Sequence, residues 1–367
     1  MIATIRTKQR ITAGMVASML PVRDPAMHKG RAGRVLVAAG SPGMAGAAVL
    51  SVGAALRSGA GLVSVGADES LWPILQTREP CAVCVGRPEI RTELKTEGDL
   101  ADVNRALAET PDAPDAPETR SSYFDGYDAV AIGPGLGTGV DAEYLIARAF
   151  ADYGGSLILD ADALNILARG RQEETTDAAS VQNTGTTSSC PPMNRSPLSR
   201  LLPLLSGSPD SLPRAVITPH PGEAARLLGV SVADIQSDRP GAAARLADEY
   251  GAVAVLKGHA SIVAVPPHGD DVYGSAMELF ENTTGNPGMA TGGSGDALTG
   301  VIASFAAQGM NSRAAAIAGV FIHGLAGDLA SGERGEYGLI ATDIVDALPA
   351  AIMRVCGNGR RSQSFSR

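Results

Sequence analysis

The sequence predicts an α/β fold built on a central, mostly parallel sheet flanked by helices. Three observations predict it. Compact apolar runs recur along the chain, each ending in glycine or a polar residue: RVLVAAG (34–40), AGLVSVGA (60–67), DAVAIGPG (128–135), SLILDADA (156–163), RAVITPHP (214–221) and GAVAVLKG (251–258). Between them lie segments of small apolar residues with helical character, such as AGAAVLSVGAALRS (45–58). The first strand, helix and second strand follow one another between Arg34 and Ala67. Such a unit implies parallel pairing, because a parallel neighbour can be reached only by a crossover.

The elements follow in order. ITAGMVASML (11–20) places Ile11, Met15, Val16, Met19 and Leu20 on one helical face, and no cleavage site follows it, so it reads as a helix rather than a leader. Strand, helix and strand occupy 34–67, and CAVCVG (81–86) predicts a further strand with Cys81 and Cys84 as small buried residues. Residues 87–124 turn charged and proline-rich, which predicts a helix and then a solvated loop. Strand-then-turn patterns return at 128–139 and 156–168, the second continuing into a helix. Periodicity is lost over 170–213, which predicts a disordered or surface insertion. Strand, turn and helix resume at 214–229, and 251–267 reads as strand, polar turn and strand. Two helices rich in small and apolar residues, within 295–310 and 313–330, complete a single domain over 11–356, with 357–367 as a disordered tail.

Composition excludes some functions. The formal net charge of −9 argues against a general nucleic-acid binder, which needs a basic face. No apolar run reaches the ~18 residues of a membrane span, so no membrane partner is expected. The CxxC at Cys81 and Cys84 lacks a second ligand pair for zinc, because Cys190 and Cys356 are not suitably spaced. Reduced cysteines fit a cytoplasmic setting.

The chemistry gathers at the ends of the predicted strands, where open parallel sheets bind ligands. The densest segment is TTGNPGMATGGSGDALTG (283–300), with six glycines among its eighteen residues. Gly292, Gly293, Ser294 and Gly295 lead directly into a helix, so their amides can form an anion hole at its positive end. Asp296 then stands where a base could take a proton from a hydroxyl while the amides hold a phosphoryl group. Lys257, in KGHAS (257–261), could hold phosphate. Asp160 and Asp162 point the same way if their strand continues. Two roles stay open for them: orienting Mg2+ through water, or capping the helix at Asn165. Glu223 could cap the helix that it begins. His220 sits between two prolines that fix its backbone.

These motifs, with HKGRAGRVLVAAGSPGMAGAAVL (28–50), AIGPGLG (131–137), LILDADALN (157–165), VITPHPGEAARLLG (216–229) and VLKGHASIV (255–263), resemble in order and spacing the bacterial ADP-dependent NAD(P)H-hydrate dehydratases. The resemblance runs from about 11 to 355 and is broken at 87–124 and 170–213. It implies a ribokinase-like three-layer sandwich. It implies a hydro-lyase that restores NADH or NADPH from the S-form of their hydrates, NADHX and NADPHX, consuming ADP and releasing AMP and phosphate. It further implies that Lys257, Gly258, His259, Ala260, Ser261 and Gly295 contact the adenine nucleotide, and that Ala47, Gly135, His220 and Asp296 contact the hydrate. ADP as co-substrate, Mg2+, a homotetramer and a separate epimerase complete that expectation. Lys29, Gly30 and Arg34 match the family's HKG segment, with a structural or phosphate-steering role. The alternative is a vitamin-precursor kinase of the same fold. Relatives of that kind carry cysteine where this chain has Asp296.

Overall fold

A computed structural model describes residues 4–5, 8–88, 122–171, 213–267 and 276–363. The loop expected within 87–124 and the insertion expected at 170–213 lie almost wholly outside the described residues.

Eleven strands form one sheet: β1 (Thr4–Ile5), β2 (Gln9–Arg10), β3 (Arg34–Ala38), β4 (Leu62–Gly66), β5 (Val83–Val85), β6 (Ala129–Ile132), β7 (Ser156–Leu159), β8 (Ala215–Ile217), β9 (Val253–Leu256), β10 (Ile262–Val265) and β11 (Ala276–Glu281). Their order is β1-β11-β10-β9-β8-β7-β6-β3-β4-β5, with β2 also on β11. Every pairing is parallel except those that β10 makes with β9 and β11. Strands β6, β8, β9 and β10 are buried at every position, as strands covered on both faces must be.

The pleat divides β3 between two cores. Val35 and Val37 face the helices Ala45–Arg57, Ser294–Ala307 and Ser312–Arg334, while Leu36 and Ala38 face the layer formed by Val140–Asp152, 162–171, Pro221–Leu228 and Arg239–Tyr250. This is the expected sandwich of helix, sheet and helix. The tightest seam joins Ala45–Arg57 to Ser294–Ala307. Gly300 lies against the carbonyl of Ser51, where a Cβ would overlap the oxygen, and Ser51 Oγ donates to the carbonyl of Asp296 at 2.9 Å. Small residues let these two backbones touch, and both helices carry site residues on their first turns.

Two expectations are corrected, and two further readings are refined. Cys81 is exposed and precedes β5, and Cys84 is only partly buried, because β5 is a three-residue edge strand rather than an inner one. The last helix, Ala341–Gln363, runs through 357–363, where a disordered tail was expected. Arg34 opens β3 at the end away from the glycine turns, and its backbone N–H and C=O both bond Asp128. The HKG segment is therefore structural, since the carbonyl of Lys29 packs on Gly61 at that same end. Finally, Ser312–Arg334 is long and apolar enough to cross a membrane by length and composition, but 72% of its most apolar stretch is buried within the protein. It is a core helix.

Candidate active site

The helix Ser294–Ala307 begins at Gly293, whose φ of +88° is left-handed, and no side chain caps it. A Cβ at Gly293 would collide with Leu50 of the neighbouring helix, so both conformation and space call for glycine there. Ser294 N–H reaches the carbonyl of Thr291 at 3.4 Å. Among the described residues, no acceptor takes the amides of Gly295 and Asp296. First-turn amides without acceptors, at the positive end of a fourteen-residue helix, form a ready anion site.

Asp296 lies beside them, partly buried. Burial, and then the nearby charge of Asp160, push its carboxyl up to about 6, against the opposing pull of Lys257. A base with that affinity is matched to proton transfer near neutrality. Lys257 closes the other side. Its Nζ donates to Asp160 Oδ1 at 2.6 Å and stands 3.9 Å from Glu223 Oε2. Burial alone would pull the ammonium down, but Asp160, Glu223 and Asp296 outweigh it and raise it above the ordinary lysine value. A Cβ on Gly295 would stand 3.1 Å from Lys257 Nζ, so the ammonium rests against the glycine turn.

Asp160 and Asp162 do not act as a pair. The strand stops at Leu159, and Ala161 adopts a left-handed φ of +51°, so the alternation that would aim both carboxylates alike is broken. Asp160 is 1% exposed and also accepts from Thr299 Oγ1 at 2.7 Å. Asp162 instead accepts from Gly137 N–H at 2.8 Å and from Asn165 Nδ2 at 3.5 Å. Among the described residues no group of three or more His, Cys, Asp or Glu side chains could hold a metal ion. The two acids thus do not form a shared protein-held Mg2+ site, and neither accepts a first-turn amide of the helix at Asn165.

His220 caps the helix Pro221–Leu228, its Nδ1 accepting from the amides of Gly222 at 2.9 Å and Glu223 at 3.3 Å. Glu223 Oε2 returns the contact to His220 N–H at 2.7 Å, completing a capping box. With Nδ1 accepting, the ring proton sits on Nε2. Burial, then Lys257 and Arg226, lower the affinity of the imidazole for a second proton. The ring is half-exposed, and its Nε2 stands 3.4 Å from Glu223 Oε1.

Ala47 and Gly135 meet where two turns cross. A Cβ on Gly135 would stand 3.0 Å from that of Ala47, and Gly40 N–H donates to the carbonyl of Pro134 at 2.8 Å. Gly258, His259, Ala260 and Ser261 form the β9–β10 turn, with Gly258 at φ +137° and Ala260 at φ +51°. The residues expected to serve as the catalytic base, anion hole, nucleotide contacts and hydrate contacts therefore all lie at the edge where β3, β6, β7, β8 and β9 end.

Four further residues were not foreseen. Thr299 follows Asp296 by one turn, and its hydroxyl stands out in an apolar helix. His323 lies in the apolar run GVFIHGLAG, with Nε2 3.5 Å from Ser294 Oγ, and burial pushes it down to about 4. It is a neutral ring beneath the glycine turn. Ser51 holds the Asp296 carbonyl. Arg239 donates to the carbonyls of Leu256 and Lys257, each at 3.3 Å, and braces the β9–β10 turn. Only a fold can pair Arg239 with that turn.

Comparison with known proteins points to one family. The family model for NAD(P)H-hydrate dehydratase matches residues 35–182 and 204–350. A bifunctional NAD(P)H-hydrate repair enzyme of Moorella thermoacetica is 35% identical over 350 residues, covering 95% of this chain and 55% of its own length. An ADP-dependent (S)-NAD(P)H-hydrate dehydratase of Neisseria meningitidis is 34% identical over 270 residues, covering 73% of this chain and 70% of its own. The chain spans about half the length of several curated relatives that it matches. Among solved structures, the ADP/ATP-dependent NAD(P)H-hydrate dehydratase of Bacillus subtilis, co-crystallized with ATP/Mg2+, superposes with a TM-score of 0.65 at 27% identity, covering 95% of this chain and 99% of that one.

Proposed function

The chain belongs to the NAD(P)H-hydrate dehydratase family, and from that premise we propose that it dehydrates the S-form of NADHX and NADPHX at the expense of ADP, yielding NADH or NADPH, AMP and phosphate. One observation carries the reading: a carboxyl with its affinity raised to about 6 adjoins two helix amides that have no acceptor among the described residues, with a lysine ammonium beside them.

The chemistry converts a poor leaving group, hydroxide, into a good one. The terminal phosphoryl of ADP lies on the amides of 292–296 with Lys257 alongside. Asp296 takes the proton of the hydrate's ring hydroxyl as that oxygen attacks phosphorus, and the bond to the bridging oxygen breaks to release AMP. The ring nitrogen then pushes its electron pair toward the carbon that bears the phosphate. Phosphate departs with the bonding pair, and loss of a ring proton restores the dihydropyridine. Ala47 and Gly135 offer a flat surface without protruding side chains to the nicotinamide ring, and the Nε2–H of His220 offers it a donor. The 257–261 turn takes the rest of the nucleotide. Any Mg2+ would travel on the nucleotide's phosphates and neutralise their charge. A separate epimerase would have to convert the opposite hydrate epimer.

The test is one assay. NADHX and NADPHX are each incubated with ADP or ATP, and the dihydropyridine absorbance is followed while products are weighed by mass spectrometry. Absorbance should rise in step with AMP and phosphate. A stable phosphorylated product without that rise would make the protein a kinase instead.

A further inference from the structure

Asp160 is almost fully buried at 1% exposure, and the proposed reaction does not use it directly. Its Oδ1 holds Lys257 at 2.6 Å and its Oδ2 accepts from Thr299 at 2.7 Å. Lys257 ends β9, whereas Thr299 belongs to the helix that starts at the glycine turn. Thr299 Oγ1 also reaches the carbonyl of Gly295 at 3.3 Å. The carboxylate thus ties the lysine to the helix mouth, and the tie ends at Gly295, where a Cβ would stand 3.1 Å from Lys257 Nζ and 3.8 Å from Asp160 Oδ2.

We propose that Asp160 is a positioning residue: it fixes the Lys257 ammonium over the phosphoryl site and keeps that cation from pairing with the Asp296 carboxylate. The inference rests on the proposed reaction and assigns the division of labour within it. Without Asp160, Lys257 has two other carboxylates to turn to. Glu223 Oε2 is at 3.9 Å, and Asp296 already acts on the ammonium. An ammonium paired with Asp296 would leave the phosphate and weaken the base together. The groups around Asp296 come from each packed element: Asp160 and Asp162 after β7, Lys257 after β9 with Glu223 and His220 behind it, and His323 beneath Ser294. The helix Ala45–Arg57 supplies only the Ser51 hydroxyl there.

The experiment compares Asp160→Asn with the double variant Asp160→Asn/Lys257→Met, which removes both buried charges while keeping their bulk. The acid limb of kcat/KM should move down by more than ~1 pH unit in Asp160→Asn, because loss of the Asp160 charge and approach of the ammonium both favour the Asp296 carboxylate. The ¹³C signal of the Asp296 carboxyl, titrated in ligand-free protein, should move by the same amount. That second readout needs no substrate, so it stands even if the proposed reaction fails. The double variant should fold and still lack ADP-dependent turnover. A Lys257 ammonium that keeps its wild-type place, away from the Asp296 carboxylate, in a crystal structure of folded Asp160→Asn would overturn the inference. So would wild-type turnover in the double variant, since the pair would then serve packing alone.

Discussion

Two glycine-rich turns sit at the same edge of the sheet and have opposite fates. In 133–137, Gly133, Gly135 and Gly137 all have positive φ, yet three of the turn's amides are taken up within the protein. Gly133 N–H goes to Ala38, Leu136 N–H to Gly133 and Gly137 N–H to the Asp162 carboxylate. In 292–296 the amides of Gly295 and Asp296 find no acceptor among the described residues, and the nearby carboxylate of Asp296 does not turn back on them. Glycine content marks where backbone comes close. Outstanding donors mark where an anion can settle.

The largest effect that could break this contrast comes from Asp296→Asn. Loss of a general base should lower kcat/KM by ~10²–10⁴-fold, while calorimetric titration should still detect AMP. Retained turnover would return the second turn to the same class as the first. Next comes Gly295→Ala. The new Cβ, 3.1 Å from Lys257 Nζ, displaces the ammonium from the turn. Misplacement on that scale should cost up to ~10²-fold in turnover, with weaker ADP binding measured in parallel. The corresponding Gly137→Ala change has nothing within 4 Å to displace, and its cost is the backbone strain of a side chain at φ +85°.

A smaller effect follows from pH. The Asp296 carboxyl, raised to about 6, must be ionised to act, so kcat/KM should fall ~10-fold for each unit below that value. Stability runs the other way. A folded affinity above the unfolded one stabilises the fold fully below the unfolded value of 3.8, and that contribution is lost as pH rises through about 6. Asp296→Asn should therefore gain about 1–3 kcal/mol over wild type at pH 8, visible as a higher midpoint in thermal denaturation, with the gain vanishing near pH 4. The smallest effect belongs to Asp162→Ala. Freeing the Gly137 amide should cost about 1–2 kcal/mol of stability and change turnover by less than ~10-fold. A larger loss of turnover would make the filled turn part of the chemistry after all.

Much of this was legible in the chain. Strand positions followed from apolar runs, and their shared C-terminal edge followed from the polar residues that end them. The anion turn and its acid were readable because backbone conformation, helix start and base lie within five consecutive residues. What could not be read depends on distance. Asp160 meets Lys257 across 97 positions and Thr299 across 139. Local reasoning assigned the lysine to phosphate alone and left the aspartate open to metal. The paired-acid expectation failed at Ala161, where a left-handed residue that no spacing rule anticipates turns the two carboxylates apart. CAVC was misjudged because an apolar run does not say whether its strand is central or at the rim.

The contact of Gly300 with Ser51 has a wider meaning. The helix that begins beside the proposed hydrate contacts and the helix that begins at the proposed phosphoryl site meet main chain to main chain, with Ser51 Oγ bolting one to the carbonyl of Asp296. The width of the proposed cleft is thus set by main-chain contact and one hydrogen bond, not by the packing of flexible side chains. Catalytic distances in this protein have little slack to lose as the surface loosens on warming.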